Sequence, residues 1–387
     1  MASSIETTST TTTLKNNGNT YLSVDTNDVV TMNVASLNGG QLAGMRNRII
    51  NGDMRIDQRN AAAAVTITTG NQFSVDRFQG ITSVSSKYSL QQTTTTAVGF
   101  VNSIKALSLS AYTVGTSEQN FIRHHVEGLN MGDLNWGTSG AKTVTLSFQV
   151  RSSLTGTFGG SIFNYNGSRS YPFSYSIGSA DTWTTISLTI TGDTTGTWLA
   201  TNGVGMTIAF TLGTGSGLSG TAGAWMAGYN SSASSTVSIL GTSGATLYIT
   251  GVQLEVGSVA TPFEHRLYGT ELALCQRYLP SFRMASLSTY LFAGKYTSTT
   301  ETTIIVPFSV STRVPVTGVI HSGVGDFTVI NSLGQTVATT AISIGTGSET
   351  NAKLLVTSGN SNNTAGDAAI MATFATDTYI YFTGAEL

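Results

Sequence analysis

A flat aromatic ring beside amide, guanidinium and hydroxyl groups can recognise a sugar: the ring covers the apolar face of a pyranose and the polar neighbours bind its hydroxyls. The 387-residue sequence places such a set at 163–173, where Tyr165, Asn166, Arg169 and Tyr171 share one turn-rich run. Trp198 and Trp225 border two further loops rich in Gly, Thr and Asn. For any one of these rings, packing with a satisfied polar tip is the competing role. Loops at 322–326 and 359–363 offer a second place for the same chemistry.

Catalytic chemistry is poorly supplied. His124, His125, His265, His321 and the lone Cys275 are scattered. Adjacent histidines on a strand face opposite sides, so His124 and His125 do not chelate one metal together. No HExxH, paired CxxC, GxSxG or GxxxxGK[ST] pattern occurs. Glycan hydrolysis needs two carboxylates about 5–9 Å apart, and 20 acidic residues could supply a pair only from distant strands. We expect no enzyme and assign no cofactor.

Composition narrows the classes further. The chain has 18 basic and 20 acidic residues, a net charge of −2, and 10% charged residues, against about 25% in an average globular protein. Without a basic surplus, no nucleic-acid partner is expected. No apolar run approaches the roughly 18 residues of a membrane helix, so no membrane insertion is expected either. With 40% apolar residues the chain is not of the disordered class, and a single Cys excludes an intrachain disulfide framework. No basic-then-apolar leader follows Met1, so ordinary secretion is not expected. Thr (63), Ser (46) and Gly (43) dominate, a supply that suits pleated, half-buried sheets and their turns.

The elements that must position these groups are therefore strands. Residues 1–45 begin as a polar low-complexity run and continue as short apolar bursts cut by Asn, Gly and Asp, which predicts short strands. So short a segment cannot close a core alone. We expect an oligomeric stem, with a floppy leader as the plainer alternative. Residues 46–268 alternate clearly, as in KTVTLSFQV at 142–150 and TTISLTI at 184–190. That period predicts antiparallel sheets wetted on one side, about eight to ten strands forming a jelly-roll β-sandwich. Residues 269–282 hold the best helix candidate, a hinge with Thr270 placed to cap it and Pro280 to stop it. Residues 283–387 return to short strands and predict a smaller C-terminal β-sandwich. The expected fold class is all-β.

Two segments are more specific: RNRIINGDMRIDQRN at 46–60 with VDRF at 75–78, and ITGVQLEVG at 249–257 running through ATPFEHR to CQRY at 275–278. Together they resemble a widespread group of bacteriophage tail-fibre and virion proteins, in which such an opening and close frame a variable β domain. The match is close over about 46–78 and 249–278. IIVPFSVSTRVP at 304–315 resembles the strand that opens many phage fibre tip domains, and the AEL at 385–387 suits the same group. The two ends are also similar to carbohydrate-binding jelly rolls appended to glycanases. That second likeness implies a structural Ca²⁺ near Asp53 and the closing strand. Nothing here has the ligand density of a calcium loop, so no metal is assigned.

The first and last strands of a jelly roll commonly lie side by side, which would bring the two segments together. Arg48, Asp53, Asp57, Arg59, Asp76, Arg77, Glu255, Glu264 and Arg266 are a dense share of a charge-poor chain. We read them as ionic pins at strand ends and subunit contacts, with a catalytic or sugar site as the rival role. The resemblance implies a homotrimeric virion component, assembled in the host cytoplasm and carried on the tail fibre. Residues 1–45 would dock on a phage tail, baseplate or adaptor protein, and the fibre would attach to host cell-surface polysaccharide. A decoration protein without a receptor and a glycan depolymerase are the alternatives. Tail depolymerases are more often long β-helices, whose repeating coil period is absent here.

Overall fold

In the computed structural model the described residues are 3–7, 11–16, 19–25 and 30–32, as backbone, and 45–68, 70–284, 290–359 and 363–387. The first group is an antiparallel meander of Ser3–Thr7, Thr11–Asn16, Asn19–Asp25 and Val30–Met32. Its register brings Ile5, Leu14, Leu22 and Met32 into one cross-strand row. Residues 33–44 of the expected stem lie outside the described residues.

The alternating runs pair into two sheets. One has the spatial order Met226–Ala227, Arg169–Ile177, Gly156–Asn164, Val204–Thr214, Gln119–Glu127, Phe78–Thr82 and Gln72–Phe73. The other runs Thr184–Ile190, Val144–Ser152, Thr246–Val256, Ser103–Ser108, Tyr88–Thr93 and Val65–Thr66. Val144, Leu146, Phe148 and Val150 share one face and are all buried. Phe148 meets Phe210 and Tyr175 of the facing sheet edge-on, at 5.0 and 5.1 Å between centroids, so aromatic edges join the layers. The opening segment lies along the closing strand. Arg48 N donates to Leu254 O and Val252 N to Gly52 O, each at 2.9 Å. The Asn47 side chain donates to Val252 O (3.0 Å) and accepts from Leu254 N (3.1 Å). Only glycine fits at 52, where a Cβ would stand 2.2 Å from the Val252 carbonyl oxygen.

Beyond the sandwich, the expected second sandwich is realised as a closed barrel with a small sheet beside it. The barrel order is Tyr290–Tyr296, Glu301–Pro307, Asn351–Ser358, Thr336–Gly347, Phe327–Asn331 and Ala368–Thr373. The sheet joins Ser281–Met284, Thr378–Thr383 and Gly318–His321. Period-two alternation is the same in both architectures; closure comes from irregularity. Thr336–Gly347 shifts register against its neighbour at Thr339/Ala341 and again at Ile344/Thr346, and such bulges bend and twist a strand enough to close a sheet.

One α-helix, Tyr268–Gln276, is present among the described residues. Its cap position is Leu267, with no side-chain hydrogen bond, so Thr270 lies inside the first turn and does not cap it. The expected hinge is a pinned element. Arg277 donates to Glu127 through Nε (3.0 Å) and Nη2 (2.6 Å), and the Tyr278 hydroxyl donates to the same carboxylate at 2.6 Å. Burial pushes Glu127 up, but these bonds outweigh it and hold the carboxyl below its usual range.

The end of the chain returns to the same place. Glu386 accepts from Arg59 Nη2 (2.8 Å) and Arg77 Nη1 (2.5 Å). Arg313 donates to the carbonyls of Ala385 (2.9 Å) and Glu386 (2.8 Å), and Leu387 packs against the Ile50, Ile56, Cys275 and Tyr278 cluster. The Arg77 side chain is 1% exposed, so its guanidinium depends on that carboxylate. We predict that Glu386→Gln costs about 3 kcal/mol, as expected when one member of a buried pair is removed. Arg151→Gln, which breaks a pair whose aspartate is 57% exposed, should change stability by less than about 0.5 kcal/mol. Denaturant unfolding of both variants checks the contrast; equal losses would contradict it.

Candidate functional site

Arg169, Tyr171, Trp198 and Trp225 meet at one end of the sandwich, joined by Trp136 and Asp193, which the sequence reading passed over. Arg169 leaves the second strand of a hairpin and donates to Asp193 through Nε (2.7 Å) and Nη2 (2.8 Å). Gly196 lets it through: a Cβ there would lie 2.4 Å from the arginine Cγ. Burial pushes the Asp193 carboxyl up, but the bonds from Arg169 and Thr195 outweigh it and hold it low. The rings of Trp136, Trp198 and Trp225 stand edge-to-face, 4.8 to 5.4 Å apart, and Trp225 leans on Tyr171 at 5.1 Å. Their indole N–H groups donate to the carbonyls of Lys142 (2.8 Å), Thr195 (3.2 Å) and Thr191 (2.7 Å). Trp198 and Trp225 are therefore not separate flat platforms but one half-buried wall. Tyr165 and Asn166 stay at the hairpin tip. Tyr165 is 46% exposed, and the Asn166 side chain accepts from Ser168 N at 3.1 Å.

Beside this wall the sheets present two edges. Along its outer edge Arg169–Ile177 pairs with a strand only at Arg169 and Ser170, and Thr184–Ile190 is the outermost strand of its sheet. Between them lies a cleft of about 310 Å³ whose lining includes Tyr171, Phe173, Ser174, Ser187, Thr189 and Gly223. Tyr171 is its one ionisable side chain, and burial pushes that phenol up, so the lining is neutral at ordinary pH. Tyr171 and Phe173 are 8% and 2% exposed and show little ring surface, while the exposed hydroxyls of Ser187 and Thr189 offer donors and acceptors. The set matches a neutral polyhydroxyl ligand and gives an anion no counter-charge. No carboxylate pair or activated nucleophile lines it. Ser187 and Thr189 escaped the sequence reading because they alternate with Ile186 and Ile190, like any wetted strand face.

The charged frame is distributed along the seam. Arg48 forks onto Asp133, both bonds at 2.7 Å. Arg266 donates to Ile49 O (3.1 Å), to Asn47 O, and to Glu264 (3.3 Å). Glu264 accepts from the amides of Arg46 (3.1 Å) and Asn47 (2.9 Å). Arg266 and Glu264 tie opening to close, while Arg48 ties the opening to the turn at Asn130 and Asp133. Others are local: Asp57 accepts from Asn60 N (2.9 Å) and Ala62 N (2.7 Å), while Glu255 accepts from Thr261 N (2.8 Å) and Gln253 Nε2 (2.9 Å). Asp53 lies against Arg55. Among the described residues no three His, Cys, Asp or Glu side chains are grouped to hold a metal. Glu127, Glu271 and Glu386, which complete the seam, lie outside the nine residues singled out; the density of arginines in the opening was the signal that acids must be found elsewhere. The alternative loop at 359–363 is partly outside the described residues.

No protein-family model matches the sequence, and no curated protein does. Solved structures that are similar include the family 11 carbohydrate-binding module from Clostridium thermocellum (11% identity, TM-score 0.27, 52% of this chain and 100% of that one). Another is the enzymatically active domain of tailspike protein 4 from bacteriophage CBA120 (11% identity, TM-score 0.26, 54% of this chain and 21% of that one). A third comes from carbohydrate-binding modules of the β-sandwich superfamily (11% identity, TM-score 0.24, 65% of this chain and 74% of that one). Likenesses at this level carry no argument about what this chain binds.

The seam also sets a pH dependence. Burial pushes Asp76 up to about 6 from 3.8, with Arg59 3.7 Å away opposing it. Between those values the folded chain holds a proton that the unfolded chain has released. This group therefore favours folding below about pH 4, and the contribution is lost as pH rises through about 6. His124 and His125 run the other way. Burial lowers both well below 6.5, so their contribution is present above that value and lost as pH falls. We predict that Asp76→Asn, measured by denaturant unfolding from pH 7 to 4, loses stability more steeply on acidification than the parent. An unchanged pH profile would contradict the assignment.

Proposed function

We propose that the chain is a bacteriophage fibre protein, a virion structural component that attaches to the host surface by non-covalent recognition of a neutral glycan. The observation that carries the glycan reading is the uncharged cleft between two sheet edges, lined by hydroxyls beside the largely buried Tyr171 and Phe173. The framing segments at 46–60 and 249–278 support the fibre assignment. In this reading residues 1–45 dock on a phage tail, baseplate or adaptor protein and hold a homotrimer. Weak single clefts are then multiplied by valency.

The test is binding of purified protein to host surface polysaccharide by calorimetry, alongside phage adsorption. Tyr171→Ala and Trp225→Ala should each weaken binding about tenfold or more, the loss of roughly 1.4 kcal/mol, with the sandwich still folded. Saturating protein should block adsorption. Unchanged adsorption would favour a decoration role, and release of reducing ends from the polysaccharide would favour a depolymerase.

A further inference from the structure

We propose that the outer wall of the C-terminal barrel carries a second carbohydrate site, for a single neutral sugar unit. It is separate from the sandwich cleft and does not rest on it. Tyr290, Ala372 and Thr328 form one cross-strand row, and Ile330 pairs with Thr336 in the next. Directly paired residues of antiparallel strands share a face. All five line one cavity of about 160 Å³, together with Phe374. Tyr290 and Phe374 are 68% and 65% exposed, so most of each ring is open to a ligand, unlike Tyr171 and Phe173 of the sandwich.

Tyr290 reaches this face through an irregularity in its strand. Phe292 pairs with Met371, which is buried in the barrel core. Strict alternation would turn Tyr290 to the same side as Phe292. The register shift between Tyr290 and Phe292 inserts one residue, so that Tyr290 pairs with Ala372 instead and faces out. A bulge re-aims a side chain in this way. The second ring is set by its backbone, since Phe374 N donates to Asp326 O at 2.7 Å. Below them the Thr328 hydroxyl is already committed, donating to Val337 O at 2.8 Å, and forms part of a built floor.

The chemistry of the lining selects the occupant. Tyr290 is its one ionisable side chain, and no carboxylate, ammonium or guanidinium among the described residues lines it. A charged ligand therefore finds no counter-charge. The two exposed rings offer apolar surface to one face of a pyranose. The hydroxyls of Tyr290 and the exposed Thr336 offer donors and acceptors to its hydroxyls. Pockets for drug-sized ligands start at about 300 Å³, so this smaller site takes one sugar unit.

Saturation-transfer NMR on the full chain, with the methyl glycosides of glucose, galactose, mannose and N-acetylglucosamine, tests this. In a Trp225→Ala background, which opens the aromatic wall of the sandwich site, at least one glycoside should still receive saturation. Adding Tyr290→Ala and Phe374→Ala should lower that signal about tenfold, with denaturant unfolding unchanged because both rings are exposed. No saturation in the Trp225→Ala background, or a signal indifferent to the two rings, would overturn the proposal. A multiple of 40.4 kDa in light scattering that falls to the monomer when the two rings are removed would also overturn it, making this wall a contact between copies. An effect of Trp225→Ala without one from the two rings would leave the sandwich reading standing and this one fallen, and the reverse result would separate them the other way.

Discussion

The Glu386 carboxylate lies between Arg59 and Arg77, two guanidinium groups that the opening segment carries into the interior. A buried cation without a partner costs several kcal/mol, so Glu386 helps hold the opening segment in place, together with Asp76 beside Arg59 and the His125 carbonyl that accepts from Arg77 at 2.8 Å. Around that pair, Arg77 covers the Tyr278 ring at 3.6 Å, and Tyr278 and Arg277 share Glu127. Opening, closing and terminal segments thus form one hydrogen-bonded seam. The sandwich and the barrel are fixed to each other by it, with the helix between them immobilised. A charge-poor chain concentrates its ions where three distant pieces of backbone must agree on a register.

The cleft lies apart from this seam. The cleft sits where pairing ends, between Arg169–Ile177 and Thr184–Ile190, away from the ionic pins. Asp193 and Arg169 neutralise each other at its aromatic end, so the positive charge that the sequence offered there is spent on structure. What lines the cleft is the hydroxyls of Ser174, Ser187 and Thr189 with Leu188, Ala222 and Gly223, beside the largely buried Tyr171 and Phe173. Such a surface favours ligands that bring their own hydroxyls and an apolar ring face, and it is indifferent to long-range charge.

How much of this was legible in the sequence differs by feature. The inward row Val144, Leu146, Phe148 and Val150 follows directly from period-two alternation, and the all-β class from composition. Closure of the barrel was not legible, because bulges at Thr339 and Ile344 leave the alternation nearly intact. Nor were the partners of the arginines. Glu386 lies 327 positions from Arg59 and Glu127 150 positions from Arg277, and no local spacing encodes such pairs. The tryptophans were visible as candidates, but their mutual edge-to-face packing depends on three loops meeting, and Trp136 belonged to neither loop considered. The cleft has two walls from strands of different sheets, each of which reads alone as an ordinary wetted face.

Amide hydrogen exchange on the full chain, with and without saturating host surface polysaccharide, tests the central claim most directly. The account predicts slowed exchange over 171–177 and 184–190, at the two edges that flank the cleft. Protection confined to the C-terminal barrel, or no change at saturation, would contradict it.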